Sequence, residues 1–211
     1  YIINLKERDE RKTKMQKEMR KFNISKYEFF KAIKGTFLET DKLDELDDNV
    51  LNKLISNTRQ CHEELPSFNA IGSFYSHLEV CKKISTLKDN EYSLVLEDDI
   101  KIEDQLHTIL PNVWPIIPKD FDILFLGYHP IVQNENEIVR VNQFMARYLH
   151  FMGNHAYILS GRGAKIILNN FDKVRFQYCA YLRSLIENKQ LKSYFIIPPL
   201  IKIVDREEYY M

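Results

Sequence analysis

The sequence predicts an α/β domain built on a mostly parallel sheet, and three observations carry that prediction. Short apolar runs of strand length alternate with longer stretches whose apolar residues recur at helical spacing. Residues 1–33 already contain one strand–helix–strand unit, the connection that parallel pairing requires. Residues 92–96 (YSLVL) have the near-continuous apolar character of a strand buried on both faces, and they run straight into Glu97, Asp98 and Asp99.

Taken in order, residues 1–5 (YIINL) are the first predicted strand. Residues 6–22 are charged, with Met15, Met19 and Phe22 spaced by four and three, which predicts an amphipathic helix. Residues 27–33 (YEFFKAI) predict a second strand, closed by Gly35. Residues 39–56 are acidic and loosely helical, and with the stretch to Pro66 they read as an excursion from the sheet, an insertion or lid. Their DELDD run lacks EF-hand spacing and reads as a solvated face rather than a calcium loop. In residues 69–87, Ala70, Gly72 and Ser73 precede Leu78, Cys81 and Ile84, predicting a helix whose start packs closely.

Beyond the 92–96 strand, a helix is predicted near residues 103–110 and a proline-broken turn at 114–118. Residues 121–127 (FDILFLG) predict another buried strand, ended by Gly127, and residues 138–145 an edge strand. Residues 148–160 hold a strand leading through Gly161 and Gly163 into a helix. Residues 177–188 predict a last long helix, and residues 195–203 an extended run interrupted by Pro198 and Pro199.

A length of 211 residues suits a single domain over 1–211 with a sizeable core. With 45% hydrophobic and 28% charged residues, the chain reads as globular rather than disordered. Zero formal net charge argues against nucleic acid, whose usual partner is a basic stripe. No apolar stretch reaches the roughly 18 residues that span a bilayer. The chain opens at Tyr1 rather than Met and enters a strand at once, so it reads as a fragment of a longer chain. The absence of a signal-peptide pattern favours the cytoplasm for this fragment. Cys61, Cys81 and Cys179 are widely spaced and read as free thiols. Oligomeric state is not encoded in any pattern seen here.

The chemistry centres on the acids after residue 96. Ligands of open α/β sheets bind at the carboxyl edge of the strands. Packed carboxylates repel one another unless a cation sits among them, and hard divalent ions such as Mn²⁺ and Mg²⁺ take oxygen ligands. The alternative is an acidic turn that caps the following helix. Asn4, Lys6, Arg8 and Arg11 leave the first strand together and suit a base or phosphate, or else a solvated helix start. His77, beside Ser76 in a predicted helix, reads as a structural histidine; His155, after Gly153 and Asn154, reads either as a metal ligand or as a hydrogen-bonded core residue. Tyr128, His129 and Pro130 end a strand at the ligand edge and suit either a sugar or diphosphate contact or a turn. There is no GxGxxG, GKS/GKT, GxSxG or Cys/His signature, and adjacent acids do not flank a bond as glycosidase carboxylates do.

The pieces INLKERDER, FFKAIKG, IGSFYSHLEVCKKI, YSLVLEDDI, FDILFLGYH and GNHAYILSGRGAKIIL, in this order, resemble glycosyltransferase family 25, the lipopolysaccharide-biosynthesis and procollagen galactosyltransferase group. The resemblance runs from Ile3 to about Leu168. It implies a GT-A-type, Rossmann-like sheet, a UDP-sugar donor, a glycan or hydroxylysine-type protein hydroxyl as acceptor, and Mn²⁺-dependent (or Mg²⁺-dependent) inverting transfer. Carried onto this chain, it implies that Glu97, Asp98 and Asp99 are the DxD-like motif. Asp99 would be the main metal ligand, Glu97 would touch ribose or metal, and His155 would contact metal or diphosphate. Ile3, Asn4, Leu5, Arg8 and Arg11 match the donor-binding opening. Ala32 to Gly35 match the turn near the base, with Lys34 where an acid is usual. Gly72, Ser76 and His77 match a segment near the donor, and Gly153, His155 and Tyr157 a later one. Where the family has a Pro-Ile-Asp-like stretch, this chain reads VRFQYCAYLR, with no Asp, which leaves Asp98 as the implied base. Two other classes stay open: a metal-dependent nucleotidyl- or phosphotransferase, and a non-catalytic nucleotide- or glycan-binding relic.

Overall fold

The computed structural model describes residues 1–38, 40–131, 138–148 and 150–204. The opening is the expected unit: β1 (Ile2–Asn4), α1 (Asp9–Lys21) and β2 (Phe29–Lys31). The excursion carries α2 (Thr40–Asp44) and α3 (Asp48–Ser56), followed by the long α4 (Phe68–Ile84). Then come β3 (Tyr92–Glu97), β4 (Ile100–Ile102), α5 (Leu106–Val113) and β5 (Ile123–Pro130). The rest is β6 (Ile138–Asn142), β7 (Met145–Tyr148), β8 (Phe151–Ser160), α6 (Gly161–Asn169), α7 (Tyr178–Glu187), β9 (Ser193–Ile196) and β10 (Ile201–Ile203).

Eight strands form one sheet in the order β2-β1-β3-β8-β5-β9-β7-β6, and β4 pairs separately with β10. The α/β class expected from the alternation is what the chain forms. β1 lies parallel to both β2 and β3, and β5 parallel to β9, while β8 runs antiparallel between β3 and β5. The sheet is therefore mixed. A strand buried on both faces shows the same apolar run whichever way it points, so the direction of β8 has no trace in its sequence.

The stretch read as one edge strand at 138–145 is instead a β6–β7 hairpin. Its turn is held by the Asn142 side chain, whose Oδ1 accepts from the Phe144 amide at 2.8 Å, a local Asx bond that ends the strand. The strand read over 148–160 begins only at Phe151, and the helix read near 103–110 spans Leu106–Val113.

Two cores lie on the two faces of the sheet, and β5 shows why. Ile123 and Phe125 join one cluster with Phe74, Tyr157, Leu182 and Phe195; Leu124 and Leu126 join the other with Met15, Met19, Ile158 and Ile196. Successive side chains of a strand point to opposite faces, so a continuous apolar run feeds both. The 40–66 excursion is pinned to α7 and to the segment before it. Leu46 and Val174 form a bridge, the Gln177 amide donates to the Glu63 carbonyl at 2.8 Å, and Arg183 pairs with Glu63.

Candidate active site

β1 and β3 are neighbours in the sheet, with Ile3 in register with Glu97, so Asn4 and the acids after β3 emerge side by side. Asn4 Nδ2 donates to Asp98 Oδ2 at 2.7 Å and to the Arg8 carbonyl at 3.3 Å. Arg11, in the first turn of α1, donates from one guanidinium nitrogen to Asp98 Oδ1 at 3.0 Å and to Asp99 Oδ2 at 3.1 Å. Residues 98 and 99 form the tight turn between β3 and β4, and the Asp99 carbonyl accepts from Val204 just beyond β10. Asn4 and Arg11, whose place where the chain leaves the first strand suits a base or phosphate, here contact the acids themselves. Arg8 differs: its guanidinium is half-exposed beside Glu10.

Asp99 carries the electrostatic strain of this cluster. Burial pushes its carboxyl up to about 6, Glu97 and Asp98 push the same way, and Arg11 opposes them. Its Oδ1 is buried and has no hydrogen-bond partner among the described residues. A buried acceptor oxygen in surplus negative charge fits a hard cation. Among the described residues, no group of three or more His, Cys, Asp or Glu side chains is gathered closely enough to hold a metal unaided.

Ser76 and His77 are consecutive residues of buried helix α4 and point in different directions. Ser76 Oγ donates to the Gly72 carbonyl at 2.7 Å and accepts from the Ile33 amide at 2.8 Å, tying α4 to the loop after β2. The two glycines of that junction are sterically required. A Cβ on Gly35 would lie 1.6 Å from the Phe68 carbonyl oxygen, and one on Gly72 2.4 Å from that of Ile33. Ala32 is tied in by its amide, which donates to the Asn4 carbonyl at 2.9 Å. Leu5 accepts from the Arg8 amide at 2.9 Å, closing the turn between β1 and α1.

His77 is fully buried and stacked on Tyr178, with ring centroids 4.7 Å apart. Its Nδ1 lies 2.9 Å from the Tyr157 hydroxyl; its Nε2 lies 2.8 Å from Asn154 Nδ2 and 3.3 Å from Glu97 Oε1. His77 therefore reaches the acids, a contact that its lone position in a helix did not reveal. Burial holds the phenols of Tyr157 and Tyr178 well above their ordinary range and pushes the Cys81 thiol, 3.2 Å from the Tyr178 hydroxyl, up to about 12.

His155 is packed beneath β10, its Nε2 3.1 Å from the Ile201 carbonyl and its ring 5.4 Å from that of His129. Gly127 leaves room for it: a Cβ there would sit 2.5 Å from two atoms of the imidazole. The Ile201 contact suits the hydrogen-bonded core alternative for His155. The ring also lines, with Glu97, Asn154, Gln177, Tyr178 and Cys179, a cavity of about 210 Å³. The Tyr128 hydroxyl, at the ligand edge by sequence, is turned inward to the Ile196 carbonyl at 2.9 Å.

A second, larger space of about 630 Å³ opens beyond β1 and β2, lined by Lys6, Lys31, Lys34 and Lys42 together with Glu7 and Glu79 and with Ala32 and Ile33. Lys34 spans to Glu7 at 2.6 Å. Lys42 lies 3.8 Å from Glu79, so the cleft carries four ammonium groups against two carboxylates, a positive surplus that suits an anionic ligand. Neither this convergence nor the roles of Asn154 and Tyr178 was read from the sequence. The lysines are scattered over residues 6–42, and nothing in the local sequence marks Asn154 apart from its neighbour His155.

The family model described as "Glycosyltransferase family 25 (LPS biosynthesis protein)" matches residues 1–182. The Glycosyltransferase 25 family member of Aedes aegypti is 26% identical over 170 residues, covering 80% of this chain and 27% of that protein. Procollagen galactosyltransferase 1-B of Xenopus laevis is 28% identical over 178 residues, covering 80% of this chain and 28% of that protein. Procollagen galactosyltransferase 2 of Mus musculus is 26% identical over 181 residues, covering 82% and 28%. The chain thus spans little more than a quarter of the length of these relatives.

Proposed function

The chain belongs to glycosyltransferase family 25, and on that premise we propose that it moves a sugar from a UDP-sugar to a hydroxyl of a glycan or a hydroxylysine-type protein acceptor, with inversion and with dependence on Mn²⁺ or Mg²⁺. The observation that carries this reading is the adjacency of two features at one sheet edge. A lysine-lined cleft opens beyond β1 and β2, and next to it the acid cluster of Asp98 and Asp99 is held by Asn4 and Arg11.

In this reading the nucleotide occupies the cleft beside Ala32, Ile33 and Lys34, with its diphosphate directed toward the acid cluster. The lysines and Arg11 offset the phosphate charge. Asp99, through its unpartnered oxygen, would hold the divalent cation, with substrate phosphates completing the coordination. When bound, that ion would neutralise charge on the departing diphosphate. The acceptor oxygen forms the new bond to the anomeric carbon, the bond to the diphosphate breaks with its electron pair leaving on UDP, and the acceptor proton passes to a carboxylate. Asp98, the base implied by resemblance, already accepts from Asn4 and Arg11 on its two oxygens, an arrangement suited to orienting the turn.

The test is release of nucleoside diphosphate with Mn²⁺ from UDP-galactose, UDP-glucose, UDP-N-acetylglucosamine and a GDP-sugar control, for the wild type and Asp99→Ala. Release from one UDP-sugar that is abolished in Asp99→Ala is the expected result. Release that persists in the variant, or none from any donor, overturns the reading.

A further inference from the structure

Asn154 sits at the junction of His77 and Glu97 and is only 9% exposed. Its Nδ2 lies 2.8 Å from His77 Nε2 and 3.2 Å from Glu97 Oε1. A primary amide nitrogen carries two hydrogens and accepts nothing, so both neighbours must be acceptors. His77 Nε2 is then the bare nitrogen and the imidazole proton lies on Nδ1, directed at the Tyr157 hydroxyl 2.9 Å away. Turning the amide over would set its carbonyl oxygen against the Glu97 carboxylate, two acceptors in a half-buried site, which is repulsive. In the assigned tautomer the 3.3 Å approach of His77 to Glu97 is also acceptor against acceptor, and the two amide hydrogens, one toward each group, offset it.

We propose that Asn154 is a positioning residue: its amide fixes His77 as the Nδ1–H tautomer and holds the Glu97 carboxylate at the wall of the 210 Å³ cavity, where it meets the acceptor hydroxyl. Among the described residues lining that cavity, Glu97 is the only carboxylate, facing Gln177 and Cys179. The cavity's occupant rests on the transferase reading; the tautomer assignment does not. Asn154 touches Glu97 through a hydrogen bond and acts on the reaction only through it.

The experiment is ¹⁵N NMR of histidine-labelled full chain, wild type, Asn154→Ala and Asn154→Asp, with thermal melts as the folding control. The wild type should show His77 with a bare Nε2 and a proton on Nδ1. Asn154→Asp presents an acceptor in place of the donor and should move the proton to Nε2. A proton on Nε2 in the wild type, or an unchanged tautomer in Asn154→Asp, overturns the proposal. In parallel, turnover of UDP-galactose with water as acceptor should fall roughly tenfold to a hundredfold in Asn154→Ala, with UDP affinity in Mn²⁺ unchanged within about twofold. Unchanged turnover, or an equal loss of UDP affinity, overturns the positioning role. A wild type with no turnover defeats the transferase reading and the cavity role, while the NMR arms still decide the tautomer.

Discussion

Gly35 and Gly72 meet backbone to backbone: a Cβ on Gly72 would lie 2.5 Å from the Gly35 amide nitrogen and 3.0 Å from its Cα. This contact seats α4 against the loop after β2, and so positions both His77 and the Ala32–Lys34 wall of the lysine cleft. Neither partner is the end of a flexible side chain, so the junction cannot yield locally. Gly72→Ala is expected to destabilise the fold by about 3 kcal/mol or more, read as a shift in urea midpoint without a change in slope. A variant as stable as the wild type would show that the junction can part.

Ser76→Ala tests the same junction through its polar link. The Ile33 amide would lose its acceptor and the Gly72 carbonyl one donor. The expected loss is about 1–3 kcal/mol, and Ser76→Thr should recover part of it because the hydroxyl is kept.

Asp99 makes stability depend on pH with a definite sign. Its folded value, about 6, lies above the ordinary 3.8, so between those limits the folded chain holds a proton that the unfolded chain releases. Stability in chelator should therefore fall as pH rises from about 4 to about 6, by on the order of 2 kcal/mol from this group. Asp99→Asn should remove that component. Mn²⁺ should raise the melting temperature more at pH 7 than at pH 5, and not in the variant. A chelator profile identical in Asp99→Asn would contradict the assignment.

Arg11→Ala removes the guanidinium shared by Asp98 and Asp99. The expected consequences are lower stability at neutral pH, by about 1–3 kcal/mol, and a steeper decline between pH 5 and 7 as Asp99 loses the charge that favours its ionised form. Denaturant melts across that range measure both. Arg8→Ala, lying beside Glu10 at the surface, should leave stability within about 0.5 kcal/mol.

The thiols should separate by rate. Cys61 is exposed, Cys81 is buried with its thiol pushed up to about 12, and burial raises Cys179 as well. Alkylation with iodoacetamide at pH 8 should label Cys61 first and leave Cys81 unmodified until denaturant is added. Early labelling of Cys81, read by peptide mass, would mean that α4 opens readily.

The sequence by itself determined the α/β class, the β1–α1–β2 opening, the two-faced burial of β5 and the location of the acids at a strand end. All of these follow from local periodicity and from chain order, which neighbouring residues carry. It also announced the tight helix start at Gly72, because small residues at a helix N-terminus are themselves a local signal. What only the tertiary structure decided are relations between residues far apart in the chain. The antiparallel course of β8, the reach of His77 to Glu97, the gathering of lysines from residues 6–42 into one cleft, and the seat of His155 against Gly127 belong to this class. A buried strand reads alike in either direction, and a polar side chain carries no mark of which distant partner will satisfy it. Those choices are made when the sheet assembles and every buried donor must find an acceptor.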